Sequence, residues 1–182
     1  SFPAKLDYYR MRVSAHDPAG LSLLENYQFH EPSITFSDRL TLYMGKHTFE
    51  LMHLPGHTPY EVVVYVPEER AVFTGDNFTN KWQPALGHCC PLEWIESLKV
   101  IESLDVDYIV PGHGDLGDKA ALRRCAAFIE GVVDAVKEAI ARGLSMEEAA
   151  TTISFESQLP AAHPGGEQQR MNVRRVYEML TR

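Results

Sequence analysis

Three turns constrain what this sequence can fold into, and each places a glycine directly before a metal-binding side chain. The turns are Pro55-Gly56-His57-Thr58, Thr74-Gly75-Asp76 and Pro111-Gly112-His113-Gly114. Each follows an apolar run of the kind that forms buried strands. Glycine lets the backbone turn sharply, so the side chain after it can project beyond the end of the sheet. We therefore expect His57, Asp76 and His113 to converge in space.

Each turn alone is weak evidence for a site, because Gly-Asp is a common turn dipeptide and a Gly-His turn usually leaves its imidazole in solvent. Together, and in this order, the three motifs resemble the C-terminal half of the metallo-β-lactamase superfamily over roughly residues 35–143. In that family the first histidine binds one metal, the aspartate bridges two metals, and the last histidine binds the second. The resemblance implies these roles for His57, Asp76 and His113.

Imidazole and carboxylate are ligands that suit zinc, iron or manganese. We expect two divalent metal ions, with zinc as the first expectation and iron or manganese as alternatives. Two cations about 3.5–4 Å apart can share a hydroxide, because they lower the pKa of its parent water to about 7. The predicted reaction is hydrolysis of a small molecule, with Asp76 as the catalytic residue and a metal-bound hydroxide as the nucleophile. The scissile group is an ester, thioester, lactone, amide or activated ether.

The identity of residue 76 also bears on the branch of the family. Many members that cleave β-lactams have cysteine at the position that the resemblance assigns to Asp76. The aspartate therefore implies that the general hydrolases of the family are closer than the antibiotic-degrading ones.

One part of the family pattern is missing from this sequence. Family members carry an upstream His-x-His-x-Asp-His motif, but no two histidines here stand two residues apart; they are His16, His30, His47, His53, His57, His88, His113 and His163. Three protein ligands shared by two metals should bind metal weakly. We expect a second polypeptide to supply the missing motif, so that the active species is a hetero-oligomer. The alternatives are a processed product or a site that has lost its activity.

Two other functions compete with a split metallo-hydrolase. The chain could be a non-catalytic subunit that keeps the fold for binding or assembly. It could also be an iron-dependent oxidoreductase of the same superfamily, because histidine and aspartate bind iron as well as zinc. Three candidate ligands at three strand ends are hard to explain by packing alone, which favours the enzyme.

The pattern of elements predicts an α/β fold in a single domain, residues 1–182, with a helical part at 118–182. Strands are expected at 40–43, 48–52, 62–66 and 71–74, and helices at 92–104 and from Asp118 to Gly143, followed by a capping box at Ser145 and a last helix. Two short helical pieces are expected within residues 1–33. Together these elements predict an incomplete metallo-β-lactamase-like αβ/βα sandwich, the C-terminal half with a helical extension.

A loop without a predicted element follows Asp76 and runs to residue 90. Trp82 and His88 make it a candidate wall of the substrate pocket, although its aromatic side chain could equally pack against the core. Cys89 and Cys90 are weaker metal-ligand candidates, because the resemblance places the ligands elsewhere.

The net charge of −8 and the pI of about 5.4 argue against nucleic-acid binding, because no Lys/Arg stripe is present to displace counterions from phosphates. No apolar run reaches the roughly 18 residues of a membrane span. Three cysteines do not form a disulfide framework, which favours the cytoplasm. A sandwich without its first sheet should expose an apolar face at 62–66 and 71–73, and we expect the second polypeptide to cover it.

Overall fold

A computed structural model describes residues 30–155, 158–160 and 166–182. The chain divides into two compact units, Ser1–Thr35 and Phe36–Arg182. All of the helices and strands given below belong to the second unit. The two helical pieces predicted within residues 1–33 lie outside the described residues. The prediction of a single domain over residues 1–182 stays a prediction.

Five strands form one sheet in the order in which they occur along the chain. They are β1 (Arg39–Met44), β2 (His47–His53), β3 (Val62–Val66), β4 (Ala71–Phe73) and β5 (Tyr108–Val110). The first three pairings are antiparallel and β4 pairs with β5 in parallel. Gly45 makes the turn between β1 and β2 with a left-handed backbone, at φ 65°.

In the described part of the chain, four α-helices follow or interrupt the strands, and they confirm the predicted mixed α/β architecture. They are α1 (Pro91–Ser103), α2 (Lys119–Ala141), α3 (Met146–Thr152) and α4 (Glu167–Leu180). The Asp118 carboxylate caps α2 by accepting a hydrogen bond from the Ala121 N–H. The predicted capping box at Ser145 is complete, since Ser145 and Glu148 bond each other's backbone N–H. No helix in the described part of the chain combines the length and hydropathy of a membrane span.

The core lies between one face of the sheet and the helices. Val63 of β3, Val72 of β4 and Ile109 of β5 are fully buried. They belong to one apolar cluster with Trp94 of α1 and Phe128 of α2. This is a sheet with helices on one side, which is half of the predicted αβ/βα sandwich.

The buried stripe of α1 differs from the one that its sequence pattern predicts. Apolar residues recur every three residues from Leu92 to Leu104, which predicts one buried helical face. Leu92 is nevertheless 49% exposed, and Trp94, which lies outside this pattern, is fully buried. Three residues turn an α-helix by only about 300°, so a three-residue repeat drifts by about 60° at each step. Ile95, Leu98 and Ile101 keep the predicted burial because they lie near the middle of the stripe.

The opposite face of the sheet carries an apolar row that crosses all five strands. Cross-strand pairing connects its members in sequence: Leu40, Leu51, Val64, Phe73 and Val110. None of them is fully buried, and Phe73 is 47% exposed. Paired residues lie on the same side of a sheet, so these side chains form one surface. We call this surface the apolar row.

The runs at 62–66 and 71–73 therefore do not form a single exposed face as expected. Alternation along each strand sends neighbours to opposite sides of the sheet, so Val63 and Val72 are buried in the core. Val62 and Phe73 are exposed.

Gly131, in the middle of α2, provides a test of the helix. A Cβ at this position would meet only ordinary contacts, the nearest being Gln158 Oε1 at 3.6 Å. Gly131→Ala should therefore stabilise the fold by about 0.5–1 kcal/mol, because alanine has the higher helix propensity. The control is Gly143→Ala, which should destabilise the fold because Gly143 ends the helix at φ 77°. Thermal unfolding of both variants measures this, and a lower melting temperature for Gly131→Ala contradicts the packing described.

Candidate metal centre

The three predicted ligands converge at the ends of β2, β4 and β5. His57 Nε2 lies 3.7 Å from Asp76 Oδ2, and His113 Nε2 lies 3.6 Å from Asp76 Oδ1. The Asp76 carboxylate therefore stands between the two imidazoles and turns a different oxygen to each.

These two N···O distances fit two ligand atoms that bind the same cation better than two atoms that form a hydrogen bond with each other. Both exceed the length of an ordinary N–H···O hydrogen bond. Two donors about 2.1 Å from one tetrahedral cation lie about 3.4 Å apart. Among the residues that the structure describes, however, no group of three or more His, Cys, Asp or Glu side chains is close enough to hold one ion. The three side chains fit part of a metal centre and do not complete one.

The His57 turn is held by groups from two other elements. The buried Asn77 side chain accepts a hydrogen bond from the His57 N–H at 2.9 Å and donates one to the Leu54 carbonyl oxygen at 2.7 Å. The Trp94 ring meets the His57 ring edge-on, with centroids 5.7 Å apart. Gly56 is required here, because a Cβ would lie 2.1 Å from Asn77 Oδ1.

Asp76 sits in a short 3-10 helix, Gly75–Asn77, directly after β4. The turn before His113 packs closely against it. The Gly112 N–H donates to the Gly75 carbonyl oxygen at 2.8 Å, and a Cβ on Gly112 would lie 2.0 Å from Asp76 Oδ1. Glycine at 112 therefore lets two ligand-bearing turns approach each other.

His113 is the more open of the two histidines. Its side chain is 66% exposed, against 25% for His57. Its backbone is nevertheless fixed, because the Asn80 N–H donates to the His113 carbonyl oxygen at 3.0 Å. The centre thus has a packed side at His57 and a solvent-facing side at His113.

The predicted pocket residues lie in a loop that is partly packed into the core. Trp82 is 39% exposed and His88 is exposed, while Phe78 and Leu86 of the same loop are fully buried. Substrate contact by Trp82 and His88 stays a prediction. Cys89 is buried, and burial raises the pKa of its thiol to about 12. Burial favours the neutral thiol, whereas metals bind the thiolate, so Cys89 stays a weaker candidate than the three predicted ligands.

Two polar residues of the site were not singled out from the sequence. One is Asn77, whose only signal is its position next to Asp76. The other is Glu61, which accepts a hydrogen bond from the Thr58 hydroxyl at 2.9 Å. The other carboxylate oxygen of Glu61 lies close to Gly75, and a Cβ on Gly75 would lie 2.8 Å from this oxygen.

A family profile described as Metallo-beta-lactamase superfamily matches residues 2–113, more than half of the chain. The chain belongs to this superfamily. The match ends at the third predicted ligand, His113, and it starts earlier than the predicted resemblance at residue 35. Residues 2–34, which carry no recognisable motif, are therefore part of the family match.

Among curated relatives, a linear primary-alkylsulfatase of Pseudomonas sp. (strain ATCC 19151) is 27% identical over 93 residues, which is 47% of this chain and 17% of the relative. A beta-lactamase-like protein 2 homolog of Caenorhabditis elegans is 29% identical over 117 residues, which is 64% of this chain and 38% of the relative. The chain therefore spans less than half the length of either relative.

Solved structures show the same fold. A stereoselective inverting sec-alkylsulfatase from Pseudomonas sp. superimposes with a TM-score of 0.62 at 15% identity, over 82% of this chain and 26% of that chain. A metallo-beta-lactamase family protein from Thermus thermophilus gives a TM-score of 0.61 at 16% identity, over 83% of this chain and 50% of that chain. These similarities confirm the metallo-β-lactamase fold and its partial coverage by this chain.

Proposed function

We propose that this chain is one subunit of a split metal-dependent hydrolase that acts on a small-molecule ester, thioester, lactone, amide or activated ether. The observation that carries the proposal is the Asp76 carboxylate between the imidazoles of His57 and His113, at 3.7 Å and 3.6 Å. The superfamily relatives named above include hydrolases. The name of the alkylsulfatase relative adds a primary alkyl sulfate to the esters worth testing.

The residues of this chain would hold two divalent ions, one on the His57 side of Asp76 and one on the His113 side. Zinc is the first candidate and iron or manganese are the alternatives, because imidazole and carboxylate bind all three. Bound ions of this kind polarise the bond to be cleaved and supply a hydroxide at neutral pH. The exposed His113 side leaves room for a substrate, while the packed His57 side keeps its imidazole oriented.

We further propose that a second polypeptide carrying the His-x-His-x-Asp-His motif completes the centre. Among the described residues, each ion would have two ligand atoms, one from Asp76 and one from a histidine, which is fewer than a closed site needs. The sequence contains no His-x-His-x-Asp-His motif to supply the others, which favours a second polypeptide. The apolar row supports the same partner, because the missing sheet of a sandwich would pack against it. The interface should be of the obligate kind, at about 2,000 Å² or more in total.

Metal content and hydrolysis of the assembled pair test the proposal. The chain is expressed alone and together with candidate polypeptides that carry the motif. Each preparation is assayed for bound metal and for hydrolysis of the ester, thioester, lactone, amide, activated ether and alkyl sulfate classes. We expect two ions and hydrolysis in the pair, and weak metal binding without turnover in the chain alone. A monomeric, fully metallated and active chain overturns the partner requirement. If a metal-loaded pair hydrolyses none of these classes, the hydrolase proposal is wrong. The chain is then a non-catalytic binding subunit or, if the pair holds iron and shows redox turnover, an oxidoreductase.

A further inference from the structure

We propose that Asn77 is a positioning residue that fixes the His57 turn to the turn that carries Asp76. Its significance for catalysis depends on the proposed function, but its effect on the His57 turn does not. Asn77 follows Asp76 directly in the sequence and is fully buried. Through it, the end of β4 holds the loop that leaves β2.

Both polar atoms of the Asn77 side-chain amide form hydrogen bonds. Its Oδ1 accepts from the His57 N–H at 2.9 Å, and its Nδ2 donates to the Leu54 carbonyl oxygen at 2.7 Å. These two partners bracket the Pro55-Gly56 turn. A side-chain amide provides one acceptor and one donor group at neighbouring positions, whereas a carboxylate provides acceptors alone. Asparagine is therefore suited to close this turn from both sides.

Trp94 extends the same arrangement to the imidazole. Its Nε1–H donates to the Asn77 carbonyl oxygen at 2.8 Å, and its ring packs edge-on against the His57 ring at an interplanar angle of 78°. Trp94 is fully buried, so α1 fixes both the backbone of Asn77 and the orientation of His57. The absence of a Cβ at Gly56 leaves the space that Asn77 Oδ1 occupies.

This arrangement has a consequence for the distance between His57 and Asp76. With Asn77 in place, the backbone N–H of His57 is hydrogen-bonded to the side chain of the residue that directly follows Asp76. Without it, the 55–57 turn loses its direct bonds to the residue after Asp76. It is then held by the Ser97 hydroxyl and the Cys90 N–H, which donate to the Pro55 and Gly56 carbonyl oxygens. Loss of partners that orient metal ligands typically lowers metal affinity or activity about 10- to 100-fold.

Asn172 provides a matched control elsewhere in the fold. It is also fully buried, accepts from the Leu86 N–H at 2.7 Å and donates to the Pro84 carbonyl oxygen at 2.9 Å. It thus has the same burial and the same pair of backbone bonds as Asn77, but neither bond goes to a predicted ligand or its turn. Loss of either asparagine should destabilise the fold to a similar extent.

The experiment compares Asn77→Ala with Asn172→Ala in the chain itself. Hydrogen exchange of the His57 amide is measured without metal, and zinc binding is followed by the ring signals of His57 and His113 in NMR. For Asn77→Ala we expect the His57 amide to exchange at least about tenfold faster, because one buried hydrogen bond is lost. We also expect the zinc affinity to fall about 10- to 100-fold. For Asn172→Ala we expect changes of less than about threefold in zinc affinity, consistent with a site remote from the ligands.

Unchanged exchange at His57 in Asn77→Ala overturns the proposal, as does equal weakening of zinc binding by the two variants. If Asn77→Ala does not fold, the isosteric Asn77→Asp replaces it. That variant should also speed exchange at His57, because a carboxylate oxygen would face the Leu54 carbonyl oxygen. If the wild-type chain and its assembled pair bind no zinc, the proposed metal centre fails, and the exchange result still decides the role of Asn77.

Discussion

Asp76→Ala is expected to abolish hydrolysis in the assembled enzyme, with a loss in kcat/KM of at least about 1,000-fold, at the upper end of what removal of one stabilising group typically costs. Among the described residues, Asp76 contributes the carboxylate that faces both His57 and His113. Its removal takes a donor from each side of the centre at once. Metal content, measured on the same preparations, should fall together with turnover.

Two substitutions serve as controls for this loss. Asp115→Ala removes another carboxylate from the His113 loop, one that is exposed and paired with Lys81, and it should leave most of the activity. His88→Ala should change substrate preference or have little effect, because His88 is exposed in the loop that follows Asp76. Equal losses from Asp76→Ala and His88→Ala would show that the centre is misplaced. Full turnover by Asp76→Ala would remove the hydrolase function.

The features that the sequence predicted well are those set by local chemistry. The convergence of His57, Asp76 and His113 follows from three glycine turns at strand ends, and each turn is specified within a few residues. The Asp118 cap and the capping box at Ser145 are likewise local, because a cap is made by residues that lie three apart in the chain.

The features that the sequence did not reveal depend on packing between distant segments. Asn77 bonds to the loop that leaves β2 and to Trp94, so its role exists only once three elements are assembled. The exposure of Leu92 and the burial of Trp94 depend in the same way on where α1 meets the sheet. The substrate contacts expected of Trp82 and His88 involve a molecule that the sequence does not specify.

Phe73→Asp is expected to weaken assembly with the proposed complementary polypeptide and so to lower metal loading and turnover together. Phe73 is the fourth of the five residues in the apolar row, between Val64 and Val110, and at 47% exposure it is the most exposed of them. A large apolar anchor that an interface buries typically contributes about 2 kcal/mol or more, so the dissociation constant should rise at least about 30-fold. Analytical ultracentrifugation of mixed subunits measures it.

The control for this variant is Leu92→Asp on α1. Leu92 is 49% exposed, nearly the same as Phe73, but it lies on a helix and outside the apolar row. It should leave assembly unchanged, because a new carboxylate near the start of a helix is well tolerated. Phe73→Thr separates loss of apolar contact from loss of strand structure, since threonine retains a high strand propensity. If Phe73→Asp assembles as tightly as Leu92→Asp, the apolar row is not the interface, and the partner must dock elsewhere or the centre must be completed by another route.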